Sequence, residues 1–116
     1  MNLILHPKTT GNIAELQSET VYSKVDDFLD LIGNANYQGA EKIIMMKYNI
    51  HPDFFDLKTR LAGEVLQKFS TYRQKLAIVG DFSEYTSKSL HDFIRESNRM
   101  KQILFVNTIS EALEKL

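Results

Sequence analysis

Nine side chains able to do chemistry fall where apolar runs break off. His51 and Asp53 follow Ile43-Ile44-Met45-Met46, and Asp81, Ser83 and Tyr85 follow Leu76-Ala77-Ile78-Val79. Asp56, Lys58, Thr59 and Arg60 stand at the start of a helical stripe. A helix N-terminus beside cations attracts a carboxylate or phosphate, because its free N–H groups and its dipole both favour negative charge. Asp56, Lys58, Thr59, Arg60 and Asp81 are therefore the leading ligand- or partner-binding candidates. His51, Asp53, Ser83 and Tyr85 are secondary ones. The competing structural reading has Asp53 and Asp56 complementing the helix dipole and pairing with Lys58 or Arg60.

Other chemistries are poorly served. His51, Asp53 and Asp81 could combine in acid–base work. Asp81 ends a buried strand, as a phosphoacceptor aspartate would. Phosphoryl transfer also needs an acidic pair for magnesium, and Leu5-His6-Pro7 supplies none. Asp81 is instead expected to cap a turn. His51 is the sole nitrogen donor near Asp53, Asp56 and Asp81, and the spacing fits no metal motif, so no metal is expected. His6 and His91 have no evident partners. The absence of cysteine removes thiolate nucleophiles, disulfides and cysteine-based zinc sites. No Gly-x-Ser-x-Gly elbow, dinucleotide fingerprint or Walker loop occurs, and no catalytic residue or cofactor is assigned.

The elements that must position these residues alternate in period. Asn2–Leu5 and Asn12–Ser18 read as two strands of a hairpin, turned at Gly11. Ser23 opens a helix, with Asp26 three residues on. Val25, Phe28, Leu29 and Ile32 form its inner face, and Gly33-Asn34 are stop signals. Ile43–Met46, Leu76–Val79 and Ile103–Val106 read as buried parallel strands. Leu57, Leu61, Val65, Phe69 and Tyr72 make one stripe of the central helix after Pro52, with a break expected at Asp56–Lys58. Gly63 within it predicts close packing on the sheet. Thr86 or Ser87 caps the next helix, over Leu90, Phe93 and Ile94. Thr108 and Glu111 cap the last one. The order β-β-α-β-α-β-α-β-α implies an α/β fold, a mixed and mostly parallel sheet flanked by helices. In 116 residues without a linker or repeat this is one domain, residues 1–116.

Two resemblances follow from these segments. The element order resembles the STAS fold of anti-sigma factor antagonists and transporter tails. Those antagonists are phosphorylated on a serine after an aspartate. The matching stretch here is Asp56-Leu57-Lys58-Thr59, with Lys58 at the acceptor position, so the phosphorylation switch is not carried over. Phe54-Phe55-Asp56-Leu57-Lys58-Thr59, Leu61-Ala62-Gly63-Glu64, Leu66-Gln67-Lys68-Phe69 and Leu76-Ala77-Ile78-Val79-Gly80-Asp81-Phe82 resemble a bacterial family, domain-of-unknown-function family 4180. Thr86-Ser87-Lys88-Ser89-Leu90 and Glu111-Ala112-Leu113 fit it as well. This resemblance runs from about Tyr37 to the end of the chain and implies no activity.

Charge narrows the partner class. The net charge is −1, which lacks the footprint of a nucleic-acid binder. Residues 19–57 carry three basic and seven acidic groups, and residues 58–75 carry five basic and one acidic. The central helix should thus show a basic outer face through Lys58, Lys68, Arg73 and Lys75. No aromatic platform interleaves it, so nucleic acid is not the expected partner. No apolar run approaches the roughly 20 residues of a membrane span, and no signal-peptide core is present, which makes the cytoplasm the expected location. The expected function is a non-enzymatic, regulatory binding module. It would engage a protein partner or a small anionic ligand at the strand ends and the start of the central helix. The alternatives are a small enzyme using His51, Asp53 and Asp81, and a structural homodimer without ligand.

Overall fold

Apolar runs too short for helices become strands, and the 3.6-residue stripes between them become helices. The computed structural model describes residues 2–116. Its five strands are β1 (Leu3–His6), β2 (Ile13–Leu16), β3 (Lys42–Met46), β4 (Lys75–Val79) and β5 (Ile103–Val106). Its helices are α1 (Val25–Tyr37), α2 (Leu61–Thr71), α3 (Lys88–Met100) and α4 (Ile109–Lys115). The fold is α/β, with β1 antiparallel to β2 and every other pairing parallel.

The strands lie side by side in chain order, β1-β2-β3-β4-β5. Right-handed crossovers in such an order carry every connecting helix to the same face. Phe28 and Leu31 of α1, Val65 and Phe69 of α2 and Leu90 of α3 accordingly share one core with Ile43, Met45, Leu76 and Ile78. The opposite face presents Ile13, Ile44, Ala77, Val79, Leu104 and Val106, and it is covered by Ala112 of α4 and by Leu116 just after that helix. The order never reverses, so the sheet has no switch point of the kind that opens a crevice in doubly wound folds. Any recess at the strand ends must come from the loops.

One sheet edge is closed by a side chain. Phe105 N–H donates to Asn98 Oδ1 at 2.7 Å, and Asn98 Nδ2 donates to Phe105 O at 3.4 Å. The α3 amide thereby occupies the β5 edge as a sixth strand would.

Several local expectations change. Gly33 does not stop α1, which runs on to Tyr37 because Ala35 still buries against the core. The α1 cap is Asp27 rather than the Ser23–Asp26 pair. Its Oδ2 accepts from the backbone N–H groups of Ser23 and Lys24 at 3.0 and 3.1 Å. Gly63 is exposed, and a Cβ there would meet nothing within 4 Å, so close packing does not explain it. The α2 stripe ends at Phe69, and Tyr72 is 58% exposed. Arg73 and Lys75 leave the helix, which stops at Thr71, and so do not extend its outer face. His6 does have a partner: its Nε2 lies 2.8 Å from Glu15 Oε1. The His91 ring meets Tyr85 O. Ser87 caps α3, with its Oγ accepting from Leu90 N–H at 3.2 Å. Thr108 caps α4, while Glu111 reaches back to Asn107 N–H instead of the cap residue.

The Asp27 cap has a pH signature. Hydrogen bonds from Ser23 and Lys24 hold its carboxyl below the usual carboxylate range. The unfolded chain therefore takes up this proton first as pH falls. The contribution is full above the unfolded value of about 3.9 and is lost as pH drops through the folded one. Asp27→Asn is expected to cost about 1 kcal/mol at neutral pH. The variant should also lose part of the acid sensitivity, read as a flatter unfolding midpoint between about pH 5 and 2.

Candidate functional site

The chain leaves β3 and β4 through two loops that build a cleft of about 600 Å³. After Met46 comes a 3-10 turn, Lys47–Asn49. Asn49 is fully buried. Its Oδ1 accepts from Met46 N–H at 3.1 Å, and its Nδ2 donates to Ser18 O and Thr20 O at 2.7 and 3.1 Å. One amide thus ties the β2–α1 loop to the end of β3. Backbone bonds from Tyr22 N to Asn49 O and from His51 N to Tyr22 O continue the attachment.

Two further 3-10 turns, Pro52–Phe55 and Leu57–Thr59, precede α2. Local side chains dictate them by competing with a continuous helix. His51 Nδ1 accepts from Asp53 N–H at 3.0 Å, and Asp56 Oδ1 accepts from Lys58 N–H at 3.2 Å. Thr59 Oγ1 donates to Asp53 O and Asp56 O and accepts from Leu61 N–H. Arg60 then adopts a left-handed conformation, φ 66°, and begins α2. The expected break at Asp56–Lys58 is present.

Lys47 lines the cleft. Its stem crosses Gly80, where an added Cβ would stand 2.6 Å from Lys47 Cβ. Only a glycine admits it. Lys47 Nζ donates to Asp81 O at 2.7 Å and to the Glu84 carboxylate. It also sits 4.7 Å from the Tyr85 ring centroid and 5.7 Å from that of Phe82, within cation–π range. Burial pulls the Lys47 ammonium pKa down, but the Glu84 hydrogen bond, together with Tyr85 and the Glu84 charge, outweighs it. The net displacement is upward, so Lys47 stays a cation. Its side chain is 24% exposed, whereas that of Glu84 is 65% exposed.

The walls are apolar: Val21, Tyr48, Ile50, Pro52, Phe55, Val79 and Tyr85. Phe55 and Tyr85 stack with centroids 5.2 Å apart and planes at 18°. Behind them an aromatic series runs from Tyr22 through Phe28 and Phe54 to Phe55, and Phe82 meets Phe105 edge-on.

Of the nine residues singled out in the sequence, Tyr85 lines this cleft. Asp81 and Ser83 form a turn beside it, with Asp81 Oδ1 accepting from Ser83 N and Oγ at 2.9 and 2.6 Å. Those two bonds hold the Asp81 carboxyl below its ordinary range. His51, Asp53, Asp56, Lys58, Thr59 and Arg60 lie along the 3-10 segment, outside the lining. Lys47 and Glu84 were missed by sequence reasoning. The available signal was a lysine directly after one buried run, with a glycine directly after the next.

Among the described residues no three His, Asp or Glu side chains converge as metal ligands, and no helix is long and apolar enough to cross a membrane. The arrangement is that of an α/β domain with an aromatic-walled cleft around one fixed cation. The chain belongs to the family described as a domain of unknown function, DUF4180, which matches residues 8–116. No curated protein and no solved structure matches it.

Proposed function

We propose that this chain is a non-enzymatic binding module whose cleft takes a small organic anion with a flat apolar body. The supporting observation is Lys47. It is a cation held at the strand ends, partnered by an exposed glutamate that can swing away, and faced by stacked Phe55 and Tyr85. A ligand carboxylate would take the place of Glu84, and its body would lie against the aromatic wall. Moving Glu84 would shift the loop after β4, which a protein partner could then read. In this sense the module is regulatory, and a bacterial cytoplasmic setting is part of the proposal.

Lys58 and Arg60 are exposed cations on the turn after Phe55 and would guide an anion by long-range attraction. Asp56, Thr59, Asp81 and Ser83 would act by holding the two loops in shape. The acid–base alternative has less support. His51 Nδ1 is engaged with Asp53 N–H, and the Asp81 carboxylate with both Ser83 groups.

The test is an amide-shift titration with phenylpropionate, using phenylpropionamide as the neutral control. Phenylpropionate should shift Tyr48, Ile50, Gly80 and Tyr85, and Lys47→Met should weaken binding about tenfold, near 1.4 kcal/mol. Equal binding of the amide would refute the reading. Shifts confined to Thr59–Leu61 would move the site to the start of α2.

A further inference from the structure

A second cleft, of about 400 Å³, opens at the other end of the sheet, where the parallel strands begin. Five cations line it: Lys42, Arg73, Lys75, Lys101 and Lys115. Glu41 is the acid among the described lining residues. Lys115 already pairs with Glu111 at 3.0 Å. The other four come from the starts of β3 and β4 and from the ends of α2 and α3.

Lys42 needs the most explanation. It stands directly opposite Lys75 in the β3–β4 register, and like charges at that spacing repel. It is also buried, at 6% exposure. Its ammonium donates to Thr10 Oγ1 at 3.0 Å. None of the ion pairs among the described residues includes it. The stem is covered, while the ammonium faces other cations at the cleft with no ion-pair partner, which is unfavourable. Burial and the charges of Lys8 and Lys75 pull its pKa below the lysine range, against the weaker opposing effect of Glu41.

Arg73 and Lys101 add a second departure from local rules. Both are left-handed, with φ of 55° and 59°, where α2 and α3 have just ended. Glycine is the usual residue there. A helix C-terminus does favour positive charge. That accounts for a cation at each helix end, but not for Lys42, which begins a strand.

We propose that this end of the sheet binds a compact polyanion bearing phosphate or sulfate groups, with Lys42 at the floor and Arg73, Lys75 and Lys101 at the rim. Arg73 offers a planar fork matched to phosphate oxygens, and the lysines offer point charges. The bound anion supplies the counter-charge that Lys42 and Lys75 lack. The site lies at the opposite strand ends from Lys47 and does not depend on the function proposed there.

The test is calorimetric titration of the full chain with inorganic pyrophosphate, orthophosphate and sulfate, at an ionic strength held constant with chloride. Pyrophosphate should saturate one site and bind more tightly than orthophosphate. Lys42→Met and the double variant Arg73→Ala/Lys75→Ala should each weaken it by about tenfold or more. Without anion, Lys42→Met should raise the unfolding temperature, because it removes a charge that faces Lys75; a purely structural lysine would lower it. The exposed double variant keeps the test decisive if Lys42→Met fails to fold. Pyrophosphate heats no larger than those of chloride, or affinity unchanged in the variants, would overturn the site. A single-stranded oligonucleotide binding more tightly than pyrophosphate through the same residues would overturn the ligand class.

Discussion

Replacing Asn49 with leucine is expected to cost about 3 kcal/mol and lower the unfolding temperature by about 10 °C. The side chain is fully buried and makes three hydrogen bonds, one to β3's last residue and two to the β2–α1 loop. Leucine has similar bulk but leaves Met46 N–H, Ser18 O and Thr20 O to find other partners. Asn49→Asp should be worse than Asn49→Leu. It turns the two donating hydrogens into a carboxylate oxygen that faces two carbonyl oxygens. Urea unfolding of the three proteins measures both effects. A leucine variant within about 1 kcal/mol of the parent would show that water replaces the lost bonds.

Gly80→Ala is expected to cost about 2–3 kcal/mol and to remove ligand binding in the adjacent cleft. The new Cβ would stand 2.6 Å from Lys47 Cβ and 3.1 Å from its Cδ. A Cβ is fixed by its backbone, so the β3 and β4 ends must part. A double-mutant cycle isolates the contact. Lys47→Gly should recover most of the stability lost in Gly80→Ala, whereas Lys47→Ala, which keeps the offending carbon, should not. Additive losses in the glycine cycle would place the cost elsewhere.

The strands were legible because Ile43–Met46, Leu76–Val79 and Ile103–Val106 are apolar on both faces, which only a covered sheet explains. Ser87 and Asp81 were legible because caps and turns are written in neighbouring residues. Lys47 was not. Its meaning depends on Gly80, Glu84 and Tyr85, more than thirty residues away, and on a register that no local pattern encodes. The basic cleft was half visible as an excess of positive charge over residues 58–75. The periodicity assigned Arg73 and Lys75 to a helix face, because nothing local announced that α2 would end at Thr71 in a left-handed turn at Arg73. Strand order was equally hidden. A run of βα units fits both a one-sided and a two-sided arrangement of helices.

The side-by-side strand order bears on how the chain is made. Each strand pairs with the one synthesised just before it, so no partner has to be awaited from further downstream. Sequential pairing keeps each crossover to a single βα unit and suits assembly during translation. The sheet can lengthen one βα unit at a time on the ribosome, and the Asn98 cap on Phe105 is local, only seven residues away. Helix α4 emerges after all five strands, and it is the element that covers Ile44, Ala77, Leu104 and Val106. Until α4 docks, that apolar face of the sheet stays open to solvent, so the sheet is complete before its second face is covered.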